Sequence, residues 1–580
     1  MLWHIANTTV RTPYRLHDAL LALENSPLNG NLSGKEQENA FAALLHNEGV
    51  LDAPRVQAGE DASDLGRKWR VALSQLGFIT PQLTRGTENG MIDPALLPSI
   101  QHIEELSGRS YEITPNGYRL AKAEIITAQQ ECFLRSLAIY TIPSIMEGNY
   151  KCEAFSPLHF VLCIMRDLAN NGQREILTFQ EFALFVQTST PADGLDLIVQ
   201  SIIQFREGRE QAKGKVRAYD RVIYNKVAAR IDRKAATLND YTDLSFRYLK
   251  STGIFRNAGR GIALSPSRAA LAELLREEEH PKLSSEDYLS TLWRGSKLPT
   301  DNAAASYSVI TDLAGRLRKR GILVDIPSTT TPLPDLENIR HTFEVYVLQL
   351  EEQEYANDQS EQLDEIIAWL EAIPKRGSAK LPNGETVSVP QGEAPAYLEW
   401  AVWRAFLAIN SLSNTPWEAR RFQIDQDFLP VHHAPGGGAD MIFEFEEVII
   451  VAEVTLTSSS RQEAAEGEPV RRHVAQFLES TNKPVYGLFI AVQIDSNTAH
   501  TFRSGDWYLP DDTKLSLDII PLTLSDFKDL LVSGRDRMSE MPNILRQILI
   551  ECRAKANQDA PQWKDSISSI VQHASNNKML

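Results

Sequence analysis

The stretch GGGADMIFEFEEVIIVAEVT, residues 436–455, decides the fold of the last third of the chain. Polar and apolar residues alternate over 441–445, as in a strand with one buried face, and 448–452 is a continuous apolar run typical of a central strand. The two glutamates between these runs suit a polar turn. The stretch therefore predicts two neighbouring strands, with Asp440 opening the first and Glu453 closing the second.

Two carboxylates at one end of such a hairpin point to chemistry. A buried carboxylate needs a cation, a hydrogen-bond donor or a raised pKa, and a pair of them suits a hard divalent metal bound through oxygen. The same spacing fits a plainer alternative, in which Asp440 is a turn residue and Glu453 a satisfied edge acid. The spacing alone leaves both interpretations open.

Length and composition indicate a globular chain of several domains. The 580 residues are 23% charged and 43% hydrophobic, which is ordinary for such proteins. We expect no membrane span, because no apolar run approaches about 18 residues, and the N-terminus does not resemble a secretion signal. The four cysteines form no C-x-x-C pair, which favours structural thiols in a reduced, cytoplasmic setting.

Charge is distributed unevenly along the chain. The formal net charge is -17, yet between Arg206 and Arg260 there are 14 Lys and Arg residues against 6 Asp and Glu. This basic, largely helical segment has the character of a surface that tracks a phosphate backbone. A solvated helix face is the alternative.

Two segments of the N-terminal half have a pattern typical of winged-helix units. Residues 111–124 read as strand, turn and helix, and 244–275 as a basic helix, two short strands with a Gly-rich turn, and another helix. Winged helices present a helix to the major groove and a hairpin to the backbone, although many bind only proteins. The candidate DNA contacts lie in the basic segment and in the second winged-helix-like segment: Arg206, Arg209, Lys213, Arg247, Lys250, Arg256 and Arg260.

The rest of the chain divides by composition. A charged run ending at Pro281 marks a boundary, and helical stretches follow it. Beyond residue 345, helices and strands alternate, which predicts a mixed sheet flanked by helices. There Glu399 is an acid within an apolar helix, and Ser525 is the expected cap of a late helix.

These residues carry a resemblance to a known family. The blocks YLEWAVWRAFLAIN (397–410) and PVHHAPGGGADMIFEFEEVIIVAEVTLTSSSRQEAAEGEPVRRHV (430–474) resemble the cleavage domain of the AlwI-type restriction endonucleases, which comprise Type IIS restriction and nicking enzymes. SPLHFVLCIMRDL, QFREGREQAKGK, SFRYLKSTGIF and IALSP resemble its recognition half. The resemblance covers most of the chain and is weakest in the first 100 residues and around 280–380.

The sequence patterns and the resemblance together predict a fold and a division into domains. It is multidomain α+β, with a mainly helical, winged-helix-like recognition half at 1–280, split at about 135/136. A helical linker domain follows at 281–345, and a C-terminal α/β restriction-endonuclease-like nuclease domain with a central mixed sheet spans 346–580.

The resemblance also implies a metal site. Asp440 and Glu453 match the metal-binding acids of the family, the Val454 carbonyl is a further expected ligand, and Glu399 matches a helix acid that completes the site. The implied cofactor is Mg²⁺, for which Mn²⁺ can substitute. One or two such ions can orient water, neutralise the phosphate and help the leaving 3′-oxygen.

The group that activates water is less defined. Glu466 and His473 match additional polar catalytic positions of the family, although His473 follows two arginines on a predicted helix and also fits a surface residue. Thr455 stands where many nucleases of the superfamily have a catalytic lysine, and Ala439 replaces a proline that often precedes the first acid. The adjacent His432 and His433 lack a second pair at zinc-site spacing and fit a loop.

The implied function is that of a Type IIS endonuclease, which cuts double-stranded DNA at a fixed distance outside a short asymmetric site. One active site per chain cuts one strand, so a monomer on its site nicks, and a double-strand break needs a transient dimer or second subunit. A cognate DNA methyltransferase is a further possible partner, in a bacterial or archaeal cytoplasm. The alternatives are a winged-helix DNA-binding regulator with an inactive nuclease-like domain and, less well supported, a glycosidase.

Overall fold

A computed structural model describes most of the chain as two compact units, residues 1–347 and 348–580. The predicted linker domain, 281–345, falls within the first unit, and the three-part division stays a prediction. Glu279, in the predicted boundary, and Gly436, in the glycine run, lie outside the described residues. The described residues are 1–51, 53–81, 110–147, 150–278, 280–435, 437–458 and 461–576.

The first unit is mainly helical. Its last helix, α14, continues across the boundary between the two units. The helices are α1 (Arg15–Glu24), α2 (Lys35–Asn47), α3 (Pro54–Gln57), α4 (Ser63–Gln75), α5 (Pro115–Ala121), α6 (Ile126–Ile139), α7 (Pro157–Asn170), α8 (Leu195–Gln211), α9 (Val216–Arg230), α10 (Ala235–Ser251), α11 (Ala269–Glu277), α12 (Ser285–Arg294), α13 (Ala303–Lys319) and α14 (Leu333–Asn357).

A small antiparallel sheet accompanies these helices. Its strands are β1 (Ile176–Thr178), β2 (Phe255–Ala258) and β3 (Gly261–Leu264), in the order β1–β3–β2. The β2–β3 hairpin turns at Gly259, whose φ of 58° favours a residue without Cβ. Helix α10 precedes this hairpin, as the sequence predicts for the winged-helix-like segment 244–275. Helices α8 and α9 lie between β1 and α10 along the chain. The winged-helix assignments stay predictions.

A network of buried ion pairs joins distant parts of the first unit. Arg340 donates from Nη1 to Glu344 Oε1 at 3.0 Å and from Nη2 to Glu131 Oε2 at 2.8 Å. Arg135 donates to the other oxygen of Glu131 at 2.8 Å, and Arg268 donates to Glu344 at 2.9 Å. Burial by itself raises the pKa of both carboxyls, but the arginines hold each pKa below its ordinary value.

The second unit contains a mixed sheet covered by helices. Its helices are α15 (Leu363–Ala372), α16 (Ala394–Ala408), α17 (Arg461–Ser480), α18 (Ser496–Ser504), α19 (Leu524–Ser533), α20 (Met541–Ala554) and α21 (Ala560–Asn576). Its strands are β4 (Ser378–Lys380), β5 (Thr386–Ser388), β6 (Gln423–Ile424), β7 (Pro430–His432), β8 (Met441–Glu444), β9 (Ile449–Thr455), β10 (Val485–Ala491), β11 (Asp506–Tyr508), β12 (Lys514–Ser516) and β13 (Asp518–Thr523).

Four of these strands form the central sheet, in the order β13–β10–β9–β8. Strands β13, β10 and β9 are parallel, and β8 is antiparallel to β9, which confirms the predicted multidomain α+β fold with a mixed sheet. The continuous apolar run became β9 because it lies between two neighbours and is buried on both faces. Thr523, rather than Ser525, caps α19, since its side chain accepts from the N–H of Asp526.

Two further sequence predictions concern single features. In the described part of the chain, no helix is both long and apolar enough to cross a membrane. All four cysteines are free thiols, and three of them, Cys132, Cys163 and Cys552, are buried. Burial raises the pKa of Cys132 and of Cys552 to about 12, which keeps both thiols protonated and fits a structural role.

Candidate active site

The β8–β9 hairpin brings two acids to one edge of the sheet. Met441 pairs with Ala452, so the antiparallel register, continued by one residue, places Asp440 opposite Glu453. The N–H of Val454 donates to Asp440 Oδ2 at 3.0 Å, and the two carboxyl groups interact directly. Asp440 is therefore anchored to the backbone of β9. Glu453 lies on β9, which has a neighbouring strand on each side, and is only 8% exposed, so it is not an acid of an edge strand.

The electrostatics of this pair are those of like charges held together. Burial, and then the charge of Glu453, raises the pKa of Asp440 well above its ordinary value. Burial also raises the pKa of Glu453, to about 8. No Lys or Arg nitrogen lies within 4.0 Å of either carboxylate in the described residues. The basic side chain within that distance of Glu453 is His473, whose pKa is lowered by burial.

Helix α16 supplies a third acid to the site. Glu399 is buried, and its Oε2 accepts a hydrogen bond from the N–H of Ala434 at 2.7 Å. Burial and the charge of Asp440 raise the pKa of Glu399 well above its ordinary value. The apolar helix thus places one carboxylate where it meets the hairpin acids, as the resemblance implies.

Helix α17 contributes the remaining two predicted residues. His473 is 5% exposed, which excludes the surface alternative, and its Nδ1 lies 2.5 Å from Glu453 Oε1. Its Nε2 is buried and has no hydrogen-bond partner among the described residues. Burial lowers the pKa of His473, and burial raises that of Glu466 against a hydrogen bond from Thr455. All five predicted catalytic residues therefore lie in one cluster.

A sixth residue, Arg421, lies at the same edge and was not selected from the sequence. The segment before β6 runs antiparallel to β8, so that the N–H of Ile442 donates to the Ala419 carbonyl at 3.0 Å. The N–H of Arg421 donates to the carbonyl of Asp440 at 3.1 Å. Its positive charge opposes the rise in the Glu453 pKa that burial causes.

The donor set fits a hard divalent cation. Asp440 and Glu453 offer adjacent oxygens, lack a cationic partner and have raised pKa values, which a bound positive ion would reverse. His473 remains outside that oxygen pair, with a free Nε2. Bound there, such an ion would neutralise phosphate charge and make a bound water more acidic. The Val454 carbonyl as a ligand stays a prediction.

Several candidate DNA contacts in the first unit take part in internal interactions. Arg206 donates to both carboxylate oxygens of the buried Glu181, at 2.8 and 3.0 Å, and to the Ile176 carbonyl at 2.6 Å. Arg209 forms an ion pair with Asp220 at 3.1 Å. These two arginines thus hold α8 to its neighbours.

The remaining candidates are more accessible. Arg247 pairs with Asp243 one turn earlier on α10, and Lys250 donates to Asn257 at 3.0 Å on β2. Lys213, Arg256 and Arg260 lie at or near the surface of the same basic segment. Helix α9 adds exposed cations outside the predicted set, with no carboxylate within 4.0 Å in the described part of the chain: Arg217, Arg221, Lys226 and Arg230.

Comparisons with known proteins identify the family of the chain. A search of curated proteins gave no match. Among solved structures, the chain resembles the small subunit (R.BspD6I2) of the heterodimeric restriction endonuclease R.BspD6I at 25% identity, over 36% of this chain and 98% of that one, with a TM-score of 0.29. The sequence model of the AlwI restriction endonuclease family matches residues 74–530. Because that match spans most of the chain, the protein belongs to the AlwI restriction endonuclease family and is a Type II restriction enzyme, a site-specific deoxyribonuclease.

Proposed function

We propose that this restriction enzyme is a Mg²⁺-dependent Type IIS endonuclease whose active site is the cluster at the β8–β9 edge. The observation that carries the proposal is the Asp440–Glu453 pair, two opposed carboxylates with no Lys or Arg nitrogen within 4.0 Å among the described residues. A structural role gives no reason to keep such a pair, because its repulsion destabilises the fold until a cation binds. Mn²⁺ is expected to substitute for Mg²⁺.

Asp440 and Glu453 would hold the metal, and Glu399 would add a third negative oxygen. The N–H of Val454 fixes one oxygen of Asp440, and the N–H of Ala434 fixes one of Glu399. Asp440 and Glu399 thus each keep one oxygen tied to the backbone, which leaves the other oxygen for the metal. Backbone anchors of this kind hold the ligand oxygens in place before the metal arrives.

His473 is suited to receive a proton from water. Its Nδ1–H donates to Glu453, which orients the ring and leaves the Nε2 lone pair free. In hydrolysis, the water oxygen bonds to phosphorus as the bond to the 3′-oxygen breaks. The water gives up a proton to His473 or Glu466, and the 3′-oxygen takes one from solvent, which leaves a 3′-hydroxyl and a 5′-phosphate.

The basic segment of the first unit would bind the DNA. The more accessible predicted contacts, Lys213, Arg247, Lys250, Arg256 and Arg260, together with the exposed face of α9, form a positive surface suited to phosphates. Arg206 and Arg209 would support that surface through their ion pairs. Within it, a winged helix formed by α10 and the β2–β3 hairpin would read the recognition sequence.

A single cluster per chain suits the hydrolysis of one strand at a time. A monomer on its site would nick the DNA, and a double-strand break would require a second copy or a different subunit. A cognate methyltransferase would protect host DNA at the same site.

Incubation of the purified protein with supercoiled plasmid and Mg²⁺, followed by mapping of the ends on both strands, tests this function. We expect ends at one constant distance from a short asymmetric sequence, lost in EDTA and restored by Mg²⁺. Ends inside the recognised sequence would contradict the Type IIS assignment. Specific DNA binding without cleavage in Mg²⁺ or Mn²⁺ would favour the regulator.

A further inference from the structure

The proposed site carries an excess of negative charge. Four carboxylates converge where the negative phosphodiester must arrive, and one divalent ion does not offset all of them. A cation supplied by the protein would lower this repulsion and stabilise the charge that develops on the phosphoryl oxygens.

Arg421 is placed to be that cation. The segment Ala419–Arg421 pairs with β8, and this pairing fixes the Arg421 backbone beside Asp440. Its Nη1 makes one long hydrogen bond, 3.4 Å, to the carbonyl of Ala439. No carboxylate oxygen lies within 4.0 Å of this guanidinium in the described residues, and the side chain is only half-buried. Its other N–H groups are therefore available to a ligand.

The neighbouring residue Arg420 shows the opposite arrangement. Its Nε and Nη2 donate to the two oxygens of Glu352 at 2.7 and 2.8 Å, and Nη1 donates to the Phe422 carbonyl at 2.6 Å. This bidentate ion pair is structural. Of two adjacent arginines, one is thus fully engaged within the protein, and the other faces the acid cluster with donors unused.

Gly438 makes the position of Arg421 possible. A Cβ built on Gly438 would lie 2.1 Å from Arg421 Nη1, far inside van der Waals contact. The guanidinium therefore rests against the glycine backbone, two residues before Asp440. A glycine at 438 lets the side chain reach the site edge.

We propose that Arg421 is a further catalytic residue, which contacts the non-bridging oxygens of the scissile phosphate. The inference rests on the proposed active site. A planar guanidinium matches two phosphate oxygens at once and stays charged at every working pH. Arg421 neither takes nor gives a proton in this step; it holds the phosphate in line for water and stabilises the added negative charge.

The test compares Arg421→Gln, Arg421→Lys and wild type in single-turnover cleavage at saturating DNA with Mg²⁺. We expect Arg421→Gln to lose about 10²- to 10³-fold in rate, with DNA affinity within about threefold of wild type. Arg421→Lys keeps the charge but not the fork, so it should recover only part of the loss. Arg535→Gln, an exposed arginine paired with Asp364, is the charge-matched control and should cut at the wild-type rate.

Chemical rescue and a variant of Gly438 distinguish loss of the guanidinium contact from loss of the whole site or of the fold. Methylguanidinium at millimolar concentration should raise the rate of Arg421→Ala and not that of Glu453→Gln. If an Arg421 variant does not fold, Gly438→Ala displaces the guanidinium without removing it and should slow cleavage by about tenfold or more.

Wild-type rates in folded Arg421→Gln, with Glu453→Gln inactive, would overturn the role of Arg421 alone. Wild-type rates in Glu453→Gln would instead overturn the proposed site. A wild-type rate at saturating DNA, with the loss confined to DNA affinity, would also overturn the catalytic role, because the contact would then be one of ground-state binding.

Discussion

The two units of this protein both bury clusters of charge, but they resolve the electrostatics in opposite ways. In the first unit, Glu131 and Glu344 each contact two arginines, and their pKa values are lowered. In the second unit, Asp440 and Glu453 contact each other, and their pKa values are raised. The first cluster is complete within the chain, and the second is not.

This difference separates a structural role from a functional one. A carboxylate whose pKa is lowered by arginines stabilises the fold in its charged form, so nothing is left for a ligand to supply. Buried carboxylates whose pKa values are raised favour the binding of protons or metal ions; burial and the charge of a neighbouring acid raise those of Asp440 and Glu453. The number of buried acids does not distinguish the clusters; their partners do.

The largest expected effect is on catalysis in the incomplete cluster. Glu453→Gln replaces a negatively charged metal ligand with a neutral amide and weakens the hydrogen bond that orients His473, so we expect the rate of DNA cleavage to fall by more than about 10³-fold. The same variant should be more stable than wild type without metal, because like-charge repulsion is relieved. Single-turnover cleavage and thermal unfolding in EDTA measure the two effects.

Specific DNA binding by Glu453→Gln serves as the control for correct folding. Cleavage at near wild-type rates would remove Glu453 from the metal site. A variant that lost stability in EDTA would contradict the view that the cluster is destabilising when no metal is bound.

Substitution in the first-unit cluster of Glu131 and Glu344 should lower stability and leave the cleavage rate unchanged. Glu344→Gln leaves Arg340 and Arg268 buried without their shared carboxylate, so we expect a loss of about 3–5 kcal/mol in the free energy of unfolding. The cleavage rate of the folded protein should remain that of wild type. Urea denaturation and single-turnover cleavage check the pair of outcomes.

Glu447→Gln is the matched control, because Glu447 pairs with Arg546 at an exposed position, where an ion pair contributes at most about 1 kcal/mol. Equal losses in the two variants would show that the buried network is no more important than a surface pair.

The sequence predicts the incomplete cluster better than the complete one, for physical reasons. Asp440 and Glu453 sit in one hairpin, so the period of alternation and one turn fix their register. Glu131 and Arg340 are 209 residues apart and meet only through tertiary packing of helices, which no local pattern records. Distance along the chain therefore sets how much of each cluster can be predicted.

Arg421 and His473 show the same limit within the active site. His473 follows two arginines and reads as exposed, but α17 packs on the sheet and buries it. Arg421 reaches the site through pairing of an irregular segment with β8 and close contact with Gly438. Neither the pairing nor the contact has a periodic signal. The family resemblance supplied His473, and Arg421 came only from the structure.

A third buried acid lies between the two extremes. Glu147, in the first unit, is 2% exposed and accepts a hydrogen bond from the Tyr140 hydroxyl, a neutral partner. Burial raises its pKa to about 7 against that hydrogen bond. The folded state then binds this proton more tightly than the unfolded state, so stability falls as pH rises from about 4.5 to 7 and is level above that range.

Glu147→Gln should remove this dependence. At pH 8 we expect the variant to unfold with a free energy up to about 3 kcal/mol above that of wild type, and at pH 5 the difference should nearly close. Urea denaturation of both proteins from pH 5 to 8 measures the difference. A difference that is constant over this range would show that Glu147 does not titrate there.

The smallest expected effect is on the salt dependence of DNA binding, and it comes from solvent-exposed arginines. On α9, Arg217 and Arg221 lie one turn apart and exposed, whereas Arg206 on α8 is bound to the buried Glu181. If the α9 face binds the DNA backbone, Arg217→Gln with Arg221→Gln removes two phosphate contacts. The slope of log K against log salt should then fall by roughly 1 to 2, with unchanged stability.

Arg206→Gln is the informative contrast for this surface. It leaves Glu181 without its cationic partner, so it should lower stability by a few kcal/mol and leave the salt slope at the wild-type value. Titration of labelled DNA at several salt concentrations, together with urea denaturation, separates the two arginine classes. A changed slope in Arg206→Gln and an unchanged one in the α9 variant would move the DNA surface from α9 to α8, because counterion release follows the cations that meet phosphate.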